Sequence, residues 1–131
     1  MNLINKKFKT LDDLNQKIFE ELLALLKTEC SPCFILSGGN SPRPLFRRIS
    51  QHKECFKKTI FLMSDERIVD IEDSESNEGE FLRLSNITKD NFISLHSKEI
   101  IQKLSDISSY DLAVLGTVSY THLTLPTTPY V

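Results

Sequence analysis

"CFILSGGNSPRPLFRRIS", residues 33–50, decides how this chain is read. Cys33 to Leu36 form a short unbroken apolar run, and Ser37 extends it to the edge of a glycine pair. Such a run, too short for a helix, is the pattern of a strand covered on both faces. Gly38 and Gly39 stop it. Ser41 then reads as an N-cap and Pro42 as the first helical residue. Leu45, Phe46 and Ile49 give the helix an apolar face. A buried strand, a glycine turn and an amphipathic helix are the opening of a parallel α/β unit.

The alternation continues in both directions. Upstream, Leu11, Leu14, Ile18, Leu22, Leu25 and Leu26 recur at helical spacing behind a Thr10 N-cap, and the helix is expected to end near Thr28, ahead of Pro32. Downstream, "TIFLMS" (59–64) reads as a second buried strand and "SNEGEFLRLS" (76–85) as a short helix opened by Ser76 or Asn77. "FISLH" (92–96) reads as a short strand, and "SKEIIQKLSD" (97–106) as a helix with Ile100, Ile101 and Leu104 inward. "DLAVLG" (111–116) reads as another buried strand. The fold class is therefore α/β, with a doubly wound, mostly parallel sheet and helices on both faces.

Composition narrows the function classes. The 131 residues suit one domain, and 40% hydrophobic with 26% charged residues is globular composition. A net charge of -2 gives no general attraction to nucleic acid or anionic membrane, so any anion must be held by local geometry. No apolar run reaches the roughly 20 residues that span a bilayer, and "MNLINKKFKTLDDLNQ" lacks the apolar core of a secretion signal. Three cysteines do not make a disulfide framework, so a reduced, cytoplasmic protein is expected. Cys30 and Cys33 spell C-x-x-C, but with the helix before and the strand after, the reverse of a thioredoxin-like site. With only Cys55 and scattered histidines as further ligands, neither redox chemistry nor metal binding is expected.

In a parallel α/β sheet, ligands bind beyond the carboxyl ends of the strands. That directs attention to the residues after Leu36, Met63 and Leu115. After the first strand, Ser37, Gly38, Gly39, Asn40 and Ser41 make a credible phosphate cradle. The glycines allow close approach and positive φ, the amides of the following helix favour negative charge, and Asn40 and Ser41 add donors. The G-K-[ST] ending of a nucleotide loop is missing, as is G-x-G-x-x-G, so a small phosphorylated ligand fits better. After the second strand come Asp65, Glu66 and Arg67. Arg67 is expected to pair with a phosphate or carboxylate held over the glycines, with Asp65 and Glu66 holding the arginine or receiving sugar hydroxyls. The acidic stretch "IVDIEDSESNEGE" (68–80) reads as a solvated loop.

"LSGGNSPRPLF", "SDERIVDIEDSESNEGEFLR" and "DLAVLG", in that order and spacing, resemble the 6-phosphogluconolactonase family from Leu11 to Gly116. The shared signals are its SGG-[ST]-x-P loop, DER-x-V strand end, S-N-x-G segment and D-L-x-L-L-G strand. The resemblance implies a Rossmann-like fold and hydrolysis of 6-phosphoglucono-δ-lactone to 6-phosphogluconate in the oxidative pentose phosphate pathway. It implies no cofactor and no metal. The partner is a small phosphorylated sugar lactone, contacted by residues 37 to 41, by Arg67 and by Asn77. Related glucosamine-6-phosphate deaminases and isomerases typically carry Asp-Glu-Tyr where this chain has Asp65, Glu66 and Arg67. A non-catalytic sugar-phosphate-binding module ranks behind both, since no basic helix-turn-helix pattern precedes residue 30.

The family's catalytic histidine stands in G-x-G-x-D-G-H-x-A-S-L-F-P directly after the D-L-x-L-L-G strand, and there the chain departs from the pattern. His122 falls at the matching offset, but the glycines and aspartate around it are absent, so the catalytic residue is unknown. "VSYTHLTLPT" is similar to the translation of a sequencing adapter. The expected organisation is therefore residues 1–117 as a C-terminally truncated domain and 118–131 as an artefactual tail, leaving an inactive fragment prone to aggregation. His52 and His96 are expected to be surface or internally satisfied histidines.

Overall fold

The computed structural model describes residues 6–115. Helix α1 (Leu11–Thr28) opens as expected, Thr10 Oγ1 accepting from the Asp13 amide at 3.0 Å. Its inward face is centred on Asn15, Phe19 and Leu22, whereas Leu11 is 47% exposed. The reason is polar. Asn15 Nδ2 donates to the Leu11 and Ser41 carbonyls at 2.9 and 3.0 Å, and satisfying both acceptors places this amide inside.

Strands β1 (Cys33–Leu36) and β2 (Ile60–Met63) pair in parallel, Phe34 beside Phe61 and Leu36 beside Met63. The remaining strands, β3 (Phe92–Ile93) and β4 (Leu112–Ala113), complete an all-parallel sheet in the order β3-β2-β1-β4. Helices α2 (Arg43–Gln51) and α3 (Asn77–Ser85) follow β1 and β2, and α4 (Ile100–Ser105) follows β3. The α/β class and parallel sheet agree with the sequence reading. Neighbouring residues along a strand point to opposite faces. Phe34, Leu36, Phe61 and Met63 share one face, where they join Leu22, Leu45, Phe46 and Phe81 in the main core. The other face carries Cys33, Ile35, Ile60 and Leu62, with Ile35 and Ile60 only half-buried. Among the described residues, the two faces are covered unequally.

Several boundaries move. Pro42, not Ser41, is the N-cap of α2, with no side-chain cap; the turn closes instead through Arg43 N–H donating to the Asn40 carbonyl at 3.2 Å. The strand expected over 92–96 stops at Ile93. Beyond it, Ser94 Oγ and the Leu95 amide donate to Glu78, both at 2.7 Å, taking the backbone out of the ladder. Of the three residues assigned to the inward face of α4, Ile100 and Leu104 are half-buried and Ile101 is 81% exposed, so the helix turns only part of that face inward and fully buries no residue. Among the described residues, 112–115 lie at the edge of the sheet and are incompletely covered: Leu112 and Val114 are half-buried, Ala113 is exposed and Leu115 is 67% exposed. Within the described residues β4 has one neighbour, β1, and so half a strand's cover.

The acidic stretch is not wholly solvated either, because Ser76, Asn77, Glu78 and Gly79 are buried. Cys30 and Cys55 are exposed, whereas burial, with the Asp111 carboxylate second, pushes the Cys33 thiol up to about 11. A thiol so raised is a packing residue. Among the described residues no helix is long and apolar enough to cross a membrane. Gly116, the tail 118–131 and His122 lie outside the described residues.

Candidate functional site

Because β1 and β2 are parallel neighbours, their carboxyl ends open side by side, and the Ser64 amide donates to the Leu36 carbonyl at 2.7 Å. A cavity of about 320 Å³ lies over these ends, lined by Ser37 to Ser41 on one side and by Asp65, Arg67 and Asn77 on the other. The two glycines differ in purpose. Gly39 takes φ +97°, a conformation that costs an L-residue with a side chain about 1 kcal/mol or more. Gly38 is needed for room: a Cβ there would collide with the Asn77 side-chain amide. Asn15 holds the far end of this loop through the Ser41 carbonyl. Nothing in the helical spacing of α1 singles out Asn15, since a lone polar residue near an apolar stripe normally faces water.

Asp65, Glu66 and Arg67 do three different things. Asp65 is exposed in the cavity wall, and its backbone carbonyl accepts from Asn77 Nδ2 at 3.2 Å. Glu66 turns away from it. Its side chain is 4% exposed and accepts from Ser76 Oγ at 2.6 Å and from the amides of Arg67 and Asn77 at 2.9 and 2.7 Å. Burial raises the pKa of this carboxyl, but the bonds from Ser76, Arg67, Asn77 and His96 outweigh it, and the net direction is down. Glu66 thus ties the end of β2 to the start of α3, where Ser76 caps the helix by accepting from the Gly79 amide at 3.0 Å.

Arg67 is consequently fixed at one nitrogen. Its Nη1 donates to Asn77 Oδ1 at 2.7 Å and to the Glu75 carbonyl at 3.1 Å, while Nε and Nη2 make no hydrogen bond among the described residues. A second arginine, which sequence reasoning did not select, stands nearby. Arg43, the first residue of α2, donates through Nε and Nη2 to Glu80 Oε2 at 3.0 and 2.6 Å. The bond to Glu80 and its charge hold that guanidinium's pKa above its usual value. Arg43 and Arg67 line a second cavity of about 280 Å³, which shares Gly39, Asn40, Arg67 and Asn77 with the first.

His96 Nε2 lies 3.1 Å from Glu66 Oε2, and His52 Nδ1 lies 3.1 Å from the Arg48 carbonyl with its ring against Phe19. Both are satisfied within the protein, and neither lines the two cavities at the strand ends. Ligand atoms of Glu66, Glu78 and His96 all lie within 4.8 Å of one another. The carboxylates are engaged by Ser76, by Ser94 and by the Asn77 and Leu95 amides, so this cluster works as a strut between α3 and the loop after β3.

Fold and site together define a parallel α/β protein with a polar, partly cationic crevice where a glycine loop meets a second strand end. Residues 5–118 match the family model for glucosamine-6-phosphate isomerases/6-phosphogluconolactonase. The chain belongs to that family. It is 27% identical over 115 residues to a 6-phosphogluconolactonase of Pseudomonas putida, covering 79% of this chain and 48% of that protein. A putative 6-phosphogluconolactonase of Caenorhabditis elegans is 28% identical over 137 residues, covering 88% and 51% respectively. The crystal structure of a 6-phosphogluconolactonase from Shewanella baltica superposes with a TM-score of 0.69 at 21% identity, covering 82% of this chain and 54% of the other, a likeness of fold. The chain spans about half the length of the curated relatives it matches.

Proposed function

We propose that this chain is the sugar-phosphate-binding half of a 6-phosphogluconolactonase, an enzyme of the pentose phosphate pathway that hydrolyses 6-phosphoglucono-δ-lactone to 6-phosphogluconate. The observation that carries the reading is the single cavity bringing the Ser37–Ser41 loop against Arg67 and Asp65. The curated relatives' lactonase name and the Arg67–Asn77 hydrogen bond support a lactonase over a deaminase or isomerase.

In this proposal the loop amides and the Asn40 and Ser41 side chains receive an oxyanion, and Arg67 supplies the opposing positive charge. Asp65 faces the sugar. Glu66 and Asn77 act from behind, fixing the arginine. Hydrolysis adds water across the acyl C–O bond. The water oxygen bonds to the carbonyl carbon, the ring oxygen leaves with a proton, and the product is a hydroxy acid. A proton acceptor near neutral pH is required. Neither His52 nor His96 is in the cavity, so residues 6–115 supply binding and orientation, the part of catalysis that fixes the carbonyl relative to its attacker.

Amide exchange with and without 6-phosphogluconate tests this. Protection is expected at residues 38 to 41 and is expected to vanish in Arg67→Ala. Protection that survives in the variant removes Arg67 from the site, and no protection in the native chain ends the proposal.

A further inference from the structure

We infer that Cys30 and Cys55 are a paired redox-modification site, two exposed thiols that a hydroperoxide joins into an intramolecular disulfide while Cys33 stays reduced. The C-x-x-C spacing nominates Cys30 and Cys33, and the fold takes those two apart. Cys33 opens β1 and is buried, whereas Cys30 lies exposed just beyond α1. The neighbour of Cys30 in space is distant in sequence. Ser31 Oγ donates to the Lys58 carbonyl and the Ile60 amide to the Pro32 carbonyl, both at 2.9 Å. The chain leaving α1 therefore runs beside the chain leaving the 3₁₀ turn Lys53–Phe56, and Cys55 stands exposed on that turn. Both thiol residues line one cavity of about 250 Å³. With Pro32 and Thr59 in its wall, this cavity sits at the amino ends of β1 and β2, the opposite end of the strands from the glycine loop.

The lining suits a small neutral oxidant. Lys57 and Lys58 are balanced there by Glu29 and Glu54, with Lys57 Nζ 3.4 Å from Glu54 Oε2, so charge selects neither an anion nor a cation. Thr59 is fully buried and its hydroxyl has no hydrogen-bond partner among the described residues, so an oxygen that reaches it gains a bond. Hydrogen peroxide and a sulfenic acid both carry such an oxygen. In the first step one thiolate attacks a peroxide oxygen and the O–O bond breaks. A sulfenic acid forms, and the departing hydroxide takes a proton to become water. The second sulfur then attacks the sulfenic sulfur, the S–O bond breaks, a second water leaves and the S–S bond forms. Two thiols lose two electrons and two hydrogens to one peroxide. Cys33 is kept out by its burial, which also leaves little of it as thiolate near neutral pH. The new bond closes a loop from Cys30 through β1, the glycine loop and α2 to Cys55, and so staples the segment that carries one wall of the crevice.

The test needs no substrate, so its outcome is independent of the functional reading above. Dilute native chain is treated with equimolar hydrogen peroxide, free thiols are alkylated, and peptides are mapped by mass spectrometry without reductant. The expected product has lost two hydrogens, links Cys30 to Cys55 and carries the alkyl group on Cys33. Its urea midpoint is expected to rise and to return to the starting value with dithiothreitol. In concentrated urea the fold no longer separates the near pair, and the bond is expected to move to Cys30 and Cys33, which close the shortest loop. Cys55→Ser is expected to stop at a sulfenic acid on Cys30, trapped by dimedone. A Cys30–Cys33 bond in the folded chain overturns the inference. So does a disulfide-linked dimer as the main product, separate over-oxidation of Cys30 and Cys55 with no bond, or three thiols left free.

Discussion

The middle of this sheet and its two margins are built differently. Strands β1 and β2 have four residues each and are locked in register, and around them Phe34, Phe46, Phe56, Phe61 and Phe81 are all fully buried. Phe81 is the hinge of that cluster, with ring centroids 5.0 Å from Phe46, 5.2 Å from Phe61 and 5.6 Å from Phe92. At the margins, β3 and β4 have two residues each and α4 buries none. The difference teaches that the candidate crevice sits on the best-packed part of the sheet, since its residues hang from the ends of the two well-packed strands. The margins are held by polar clips such as Glu78 to Ser94 and by short ladders.

The contrast can be broken or sharpened by mutation. Phe81→Ala should be the largest change, costing about 3–5 kcal/mol by opening a cavity among three other aromatic rings, read as a shift in the urea midpoint. A loss below about 1 kcal/mol would mean that the central core is not the stable unit. Gly79→Ala should come next, at about 1–3 kcal/mol, because the new Cβ meets the Ile71 carbonyl, a backbone atom that cannot swing aside. The same denaturation series checks it.

Acid should act through Glu66. Its folded pKa lies below the unfolded value of about 4.3, so its contribution is complete above that pH and disappears as pH falls through the folded pKa. Stability measured from pH 6 down to 3 should drop in the native chain and drop less in Glu66→Gln; equal slopes would deny Glu66 its role. At the alkaline side the sign reverses for Cys33. Its raised pKa keeps the thiol neutral, so it should resist thiol reagents at pH 8 while Cys30 and Cys55 react, and stability should decline as pH rises from about 8.5 towards 11. The smallest effect belongs to the margin: Ile101→Ser, at an 81% exposed site, should change stability by less than about 0.5 kcal/mol. A cost of 2 kcal/mol there would show that α4 is packed against something in solution.

Legibility in the sequence followed the range of the forces. Strands β1 and β2 were plain because an unbroken apolar run of four or five residues is too short for a helix and fits a strand covered on both faces. Thr10 was legible as a cap, and Ser76 as one of two candidates with Asn77, because capping is a contact over three residues, although the same pattern placed a cap on Ser41 that does not form. The sequence pattern over-extended β3 for the opposite reason. What ends β3 is Glu78, sixteen and seventeen residues away from its partners Ser94 and Leu95, and no local pattern reports that. The site divides likewise. The glycine loop and the Asp65–Arg67 triplet stood out as unusual residues at strand ends. Arg43 looked like one more surface charge, and Asn15 like a polar residue on a helix.

By itself, then, the order of residues determined the alternation of strand and helix, the glycine turn after β1 and the position of the crevice, because each follows from periodicity and backbone chemistry within a few residues. Only the tertiary structure decided that Glu66 faces inward while Arg67 faces the cavity, that Gly38 exists to make room for Asn77, and that Arg43 shares a cavity with Arg67. Those outcomes depend on contacts between side chains from separate elements. Their distances are set by how the helices pack on the sheet, which no single stretch of chain encodes.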